Sequence, residues 1–296
     1  MKHYILGTDW WDDCDDVVAL RILARAHKAG RIDLKAVAIN VCKEDSVSSM
    51  DGFLQLEEME NIPIGIDRDA TDFEGRPTYQ NYLKQFATRY RSNDEAEDGV
   101  RLYRRIMAES QETIEIVEIG YLQILSNVLE SPPDDISEKT GLELVKEKVS
   151  KIWIMGGKWD EDGGVENNLA RNARAKAAAE AVCRLCPVSI TFLGFEVGAD
   201  VISGDNLNQD DFLHLAMCEH GSGNGRNSWD PMLVALAITG NEAQAGYETV
   251  KGTAMVEPLT GANYFKPSEK GHHQFVVRKY APEYYQETIN LLIKSE

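Results

Sequence analysis

Between Tyr4 and Leu23 the chain passes from a short apolar segment, through a dense acidic turn, into a helical pattern. This one stretch limits the possible folds more than any other. Tyr4, Ile5 and Leu6 are apolar, and the run stops at Thr8. Asp9, Asp12, Asp13, Asp15 and Asp16 follow, and then Val17, Val18, Leu20, Ile22 and Leu23 recur at helical spacing. The order is strand, acidic loop, helix, and in an α/β protein such a loop lies at the carboxyl end of a strand, where ligands bind. So many carboxylates in one turn repel one another unless a positive charge sits among them. A cluster of oxygen ligands suits a hard divalent cation, Ca²⁺ or Mg²⁺, better than zinc. The competing reading is a solvated turn whose aspartates cap a helix and favour its dipole.

The same alternation continues along the chain. Strands are expected at 34–40, 63–66, 114–119, 151–155 and 188–193. Helices are expected at 46–61, 79–90, 93–110, 122–129, 141–149 and 172–185. Residues 200–245 read as helices joined by a Gly/Asn/Ser-rich loop at 221–228. Strands at 247–251 and 274–278 and a helix at 282–294 close the chain. Strand–loop–helix repeats with short connections imply an α/β fold, an open and mostly parallel sheet with helices on both faces and a Rossmann-like core. No linker divides residues 1–296, so one domain is expected.

Charge narrows the partners. The net charge is -18 over 296 residues, which argues against nucleic acid and against an anionic membrane surface. The densest basic group, Arg101 with Arg104 and Arg105, is flanked by acids. No apolar run approaches the roughly 20 residues that span a bilayer. The first residues turn acidic too soon for a signal peptide. Five scattered cysteines suit a reducing, cytoplasmic setting. Cys183 and Cys186 form a C-x-x-C without a second pair of soft ligands, so helix packing is expected rather than zinc.

Acids and amides recur at the strand ends: Asn40 (with Asp45 close behind), Ile119-Gly120, Gly156-Gly157 followed by Glu166-Asn167-Asn168, and Trp229-Asp230 at the start of a helix. No G-x-S-x-G elbow and no Gly-rich phosphate loop accompanies them.

At these residues the chain resembles a known family. The T-D-x-x-x-D-x-D-D-x-x-A-L pattern of Thr8 to Leu20 is similar to the signature of the inosine–uridine-preferring nucleoside hydrolases. It has two residues more than the family's common D-T-D-P-G-x-D-D. Met155-Gly156-Gly157, Glu166-x-Asn168, the 194–198 segment G-F-E-V-G and Asp230-Pro231 match further family segments in order. The resemblance implies a nucleoside hydrolase-like sheet with Ca²⁺ at its carboxyl edge, hydrolysing the N-glycosidic bond of a small-molecule nucleoside. It implies Asp9, Asp16, Asp230 and the carbonyl of Ile119 as metal ligands, and Asp9 also as the catalytic base. Asp15, Glu166 and Asn168 would bind the ribose, with Asn40 or Asp45 as a further contact. A homodimer or homotetramer would be in keeping with the family.

Three departures qualify it. Gly7 stands where the common motif has an aspartate, removing one partner for the metal ligands. The loop 158–165 is short, and only Asp160 or Asp162 offers a substitute for a ribose-binding asparagine. Trp229 stands where many members carry the histidine that protonates the leaving base, an arrangement that leans towards stacked purines. Trp10, Trp11 or Trp159 could supply a second ring. Core packing competes with stacking for Trp229 itself. His272 and His273 are expected at the surface, and Glu57-Glu58 and Asp134-Asp135 on solvated faces. Two alternatives follow: a catalytically altered relative that only binds a ribosyl ligand, and a metal-dependent phosphohydrolase.

Overall fold

The first strand, β1 (Lys2–Thr8), is apolar on both sides, as the centre of a parallel sheet requires. Tyr4 and Leu6 enter one apolar layer and Ile5 the other, the period-two alternation of a strand. The structure, a computed structural model, describes residues 1–294. The further strands are β2 (Ile32–Ile39), β3 (Ile64–Ile66), β4 (Glu97–Asp98), β5 (Ile114–Glu118), β6 (Val149–Met155) and β7 (Ile190–Leu193). They are followed by β8 (Ile202–Ser203), β9 (Arg226–Asn227), β10 (Tyr247–Val256), β11 (Asn263–Pro267) and β12 (His273–Arg278).

Ten of these form one sheet in the order β11-β10-β12-β7-β6-β5-β1-β2-β3-β4. All neighbours are parallel except β10, which runs antiparallel to both β11 and β12. The chain moves outward from β1 to β4, returns to pair β5 with β1, and then moves the other way. The reversal opens a crevice at the carboxyl ends of β1 and β5, where α/β sheets bind ligands. Helices Asp15–Lys28 and Trp229–Thr239 pack on one face. Helices Gly99–Glu109 and Gln123–Glu130 pack on the other.

Several local expectations shift. Residues 79–90 hold only the helix Gln80–Leu83 and one 3₁₀ turn. The helix expected from Asn93 begins at Gly99, because Asp98 caps it at Arg101 N (3.0 Å). Asn93 instead accepts from Val47 N (3.0 Å) and donates to the Lys43 carbonyl (2.6 Å). Strand β11 carries no strong alternation and had no sequence signal. Glu57 is not solvated: it is 1% exposed and paired with Arg21 and Lys28. Asp134 is tied to Arg104 by two 2.8 Å bonds. His273 is not at the surface either. It is buried, accepting from Ala254 N (3.0 Å), because β12 lies between β7 and β10. Cys183 and Cys186 are buried free thiols in the helical layer. Among the described residues no helix is long and apolar enough to cross a membrane.

Candidate active site

The acidic loop leaves β1 and turns under a left-handed residue, Trp10, with φ +48°. A bulky residue in this region is strained and persists only where its surroundings hold it. Here they do. The indole is fully buried, donates from Nε1 to Ser49 Oγ (3.0 Å), and meets Phe53 and Tyr79 edge-on. Gln80 donates to the carbonyls of both Trp10 and Trp11, at 2.7 Å each. The backbone N–H of Trp10 reaches Asp16 Oδ1 (3.3 Å), to which Thr8 Oγ1 also donates. The two additional residues of the motif are therefore spent inside the fold, and the loop returns its aspartates to the crevice.

Helix Asp15–Lys28 begins inside the site, so Asp15 and Asp16 occupy its first turn. Helix Trp229–Thr239 brings Asp230 to them, with Asp230 N donating to Asp15 Oδ2 (3.1 Å). Carboxylate oxygens of Asp15, Asp16 and Asp230 all lie within 4.8 Å of one another, and all three residues are buried. At that spacing two full charges repel by about 3.5 kcal/mol at an effective dielectric of 20. Burial, and then the neighbouring acids, push Asp9, Asp15 and Asp230 well above the usual carboxylate range. Burial raises Asp16 to about 7, against the hydrogen bond from Thr8. The rim acids have partners: Arg226 holds Asp13 at 2.5 and 2.8 Å, and Arg171 lies 3.7 Å from Asp12. Among the described residues no cationic side chain pairs with Asp9, Asp15, Asp16 or Asp230. An all-oxygen, buried and uncompensated donor set fits a hard divalent cation.

A cavity of about 350 Å³ opens over these groups. It is lined by Asp9, Asp15, Asp16, Ile119, Glu166, Asn168, Trp229 and Asp230 among others. Glu166 caps the short helix Asn167–Ala170, accepting from Asn168 N (2.8 Å), Leu169 N (3.3 Å) and Gly157 N (2.9 Å). Burial pushes its carboxyl up to about 7 against those bonds. Asn168 donates from Nδ2 to the carbonyls of Ile119 and Met155, both at 3.2 Å, so its Oδ1 is the atom it offers a ligand.

Some candidate residues fall elsewhere. Asn40 is fully buried beneath the cavity and does not line it. Its Oδ1 accepts from Tyr121 N (3.0 Å), and its Nδ2 has no partner among the described residues. Asp45 is drawn away to Lys84 (2.8 Å). Asp160 is paired with Lys158 (2.8 Å), and neither it nor Asp162 lines the cavity. Trp11 packs against Phe73, and Trp159 stacks on Phe275 at 5.9 Å. With Trp10 also in the core, none of the three faces the cavity.

The second ring is Phe195, stacked on Trp229 at 5.3 Å and 24°, while the indole N–H of Trp229 donates to the Phe195 carbonyl (2.8 Å). Its signal was the G-F-E-V-G segment, which gave a match but no role. Arg226, Arg171 and Asn167 also line the cavity with no role expected of them, and so does His220, which its helical position predicts, like His214, at a helix surface. The gap left by Gly7 is filled. A Cβ there would fall 1.8 Å from Glu118 Oε2 and 2.8 Å from the Tyr103 hydroxyl, so a carboxyl from the neighbouring strand takes the space.

No family model matches the sequence, and comparison with characterised protein sequences gives no match. Solved structures do match. An inosine–uridine-preferring nucleoside hydrolase from Bacillus anthracis superposes with a TM-score of 0.71 at 14% identity, over 100% of both chains. A plant nucleoside hydrolase gives 0.73 at 15% identity, over 100% of this chain and 99% of the other. A purine-preferring ribonucleoside hydrolase from Gardnerella vaginalis gives 0.68 at 15% identity, over 100% of both. The chain has the fold of these nucleoside hydrolases.

Proposed function

We propose that this chain is a Ca²⁺-dependent ribonucleoside hydrolase, splitting the N-glycosidic bond to free base and ribose with a leaning towards purines. The observation that carries the reading is the uncompensated buried set Asp9, Asp15, Asp16 and Asp230, facing Glu166 and Asn168 across one cavity at the β1/β5 crevice. The shared fold with hydrolases of nucleosides supports it, one of them purine-preferring.

In this reading Asp9, Asp16, Asp230 and the Ile119 carbonyl hold the cation, and Asp15 takes a ribose hydroxyl. When bound, Ca²⁺ would orient a water and make it more acidic. Asp9 is the base that receives the water's proton. Glu166 and Asn168 Oδ1 accept hydroxyls at the far end of the sugar. The carboxylates stabilise the positive charge that develops on the ribosyl ring as the C–N bond breaks. Trp229 and Phe195 offer a flat surface to the base.

The test is release of reducing sugar from a nucleoside panel by the full chain, with and without a Ca²⁺ chelator. Chelator-sensitive release that Ca²⁺ restores, and that Asp9→Ala abolishes in a folded protein, is the expected result. No release from any nucleoside by the Ca²⁺-loaded protein would overturn the reading and favour a ribosyl-binding protein without turnover. Inorganic phosphate from a sugar phosphate would favour phosphohydrolysis.

A further inference from the structure

The histidine that would protonate the leaving base is absent at position 229, yet an imidazole does line the same cavity. It comes from a different element, the last residue of helix Phe212–His220. Gly221 ends that helix in the left-handed conformation, and Ser222 N returns to the Met217 carbonyl (2.8 Å), which fixes where the ring emerges. The ring is anchored on one side only. Nδ1 lies 2.8 Å from Ser222 Oγ, whereas Nε2 lies 3.9 Å from Asp13 Oδ1, outside hydrogen-bond distance. Nε2 is therefore free to meet a ligand.

Its surroundings belong to the base end of the cavity. Asp13 is bound by Arg226, whose guanidinium sits 5.5 Å over the Trp229 ring, and Trp229 stacks on Phe195. The sugar-binding groups, Glu166 and Asn168, are anchored on the other strand ends, at Gly157, Ile119 and Met155. Two negative poles face the imidazole: the Asp13 carboxylate and the carbonyl end of its own helix.

We propose that His220 is the acid that protonates the departing base, a catalytic role that rests on the hydrolase reading. As the C1′–N bond breaks, its electron pair goes to the base nitrogen. His220 Nε2–H gives that base a proton. Water adds its hydroxyl to C1′ and its proton to Asp9. Asp9 then releases a proton to solvent and His220 takes one up, so ribose and neutral base leave and one water is consumed.

The experiment compares leaving groups that need a proton with those that do not. Guanosine and uridine need one; 7-methylguanosine leaves as a neutral base without one, and 4-nitrophenyl riboside leaves as a stable phenolate. His220→Ala should lose at least ~100-fold in kcat/KM on whichever ordinary nucleoside the wild type turns over, and less than about fivefold on the two activated substrates. His220→Gln, closer in size, should behave alike if folding of the alanine variant is impaired. Added imidazole should restore part of the loss in His220→Ala. Trp229→Ala is the contrast: it removes stacking, so it should reduce guanosine and 7-methylguanosine together. Equal losses on all four substrates in both His220 variants would overturn the assignment and leave the hydrolase reading intact. No turnover of any of the four by the wild type would overturn both.

Discussion

Gln80 should be a stability hot spot although it does not line the cavity. Its side-chain amide is 1% exposed and donates to the carbonyls of Trp10 and Trp11 at 2.7 Å each. Its Oε1 accepts from Thr78 N at 2.8 Å. Replacing it with methionine keeps the volume and removes all three bonds. A hydrogen bond contributes about 1 kcal/mol net, and a buried carbonyl left without a partner costs about 1–3 kcal/mol. The two tryptophan carbonyls and the Thr78 amide together put the loss at about 3–4 kcal/mol, discounted because the Thr78 amide can find water. In a chain of this size about 2 °C of Tm accompanies each kcal/mol, so a fall of roughly 6–8 °C is expected. The loss has a second signature. Gln80 holds the strained Trp10 that routes Asp9, Asp15 and Asp16 to one place, so loosening it should weaken cation binding as well. The assay is thermal unfolding of both proteins across a Ca²⁺ series. The Tm gain on adding Ca²⁺, which tracks occupancy of the folded state, should appear at higher Ca²⁺ in the variant. If Gln80→Met melts within about 1 °C of wild type and responds to Ca²⁺ at the same concentrations, the clamp does not hold the loop.

Two further outcomes test the surroundings. Gly7→Ala drives a methyl to 1.8 Å from Glu118 Oε2, and overpacking of this kind should cost about 2–3 kcal/mol in urea unfolding. Combining it with Glu118→Ala should show a favourable coupling of at least about 1 kcal/mol; additive losses would mean the space is not shared. Burial holds the His273 imidazole down at about 4, against 6.5 when unperturbed. The unfolded chain therefore binds the extra proton between those values, so stability is complete above pH 6.5 and falls as pH falls towards 4, by about 2 kcal/mol at pH 5. Urea unfolding at pH 7 and pH 5 should show this loss in wild type, and His273→Gln should lack that part of it. Identical pH dependence in both proteins would remove His273 as the cause.

Much of the candidate site was legible because its signals are local. The apolar run Tyr4–Leu6, the density of Asp9 to Asp16 and the helical spacing from Val17 together require a strand, a charged loop and a helix. The chemistry of crowded carboxylates follows from their proximity in sequence alone. The acid Glu166 and the amide Asn168 were legible as a short local pattern, E-x-N, in the segment that follows a strand.

What the tertiary structure decided is which distant groups meet. The reversal of strand order between β1 and β5 carries Asp230 to Asp15 across 215 residues and sets Ile119 beside Asp9, and no periodicity encodes that pairing. It also sorted the tryptophans. Trp10 and Trp11 are spent in the core because the lengthened loop must bury its own backbone, and only Trp229, with Phe195, was left facing the cavity. Glu118 occupies the space at Gly7 because adjacent strands share one register. His220, Arg226 and Asp13 form a group only because a helix end, a short strand and the acidic loop converge there. Sequence determines which side chains can do chemistry; long-range packing and charge pairing determine which of them are free to do it.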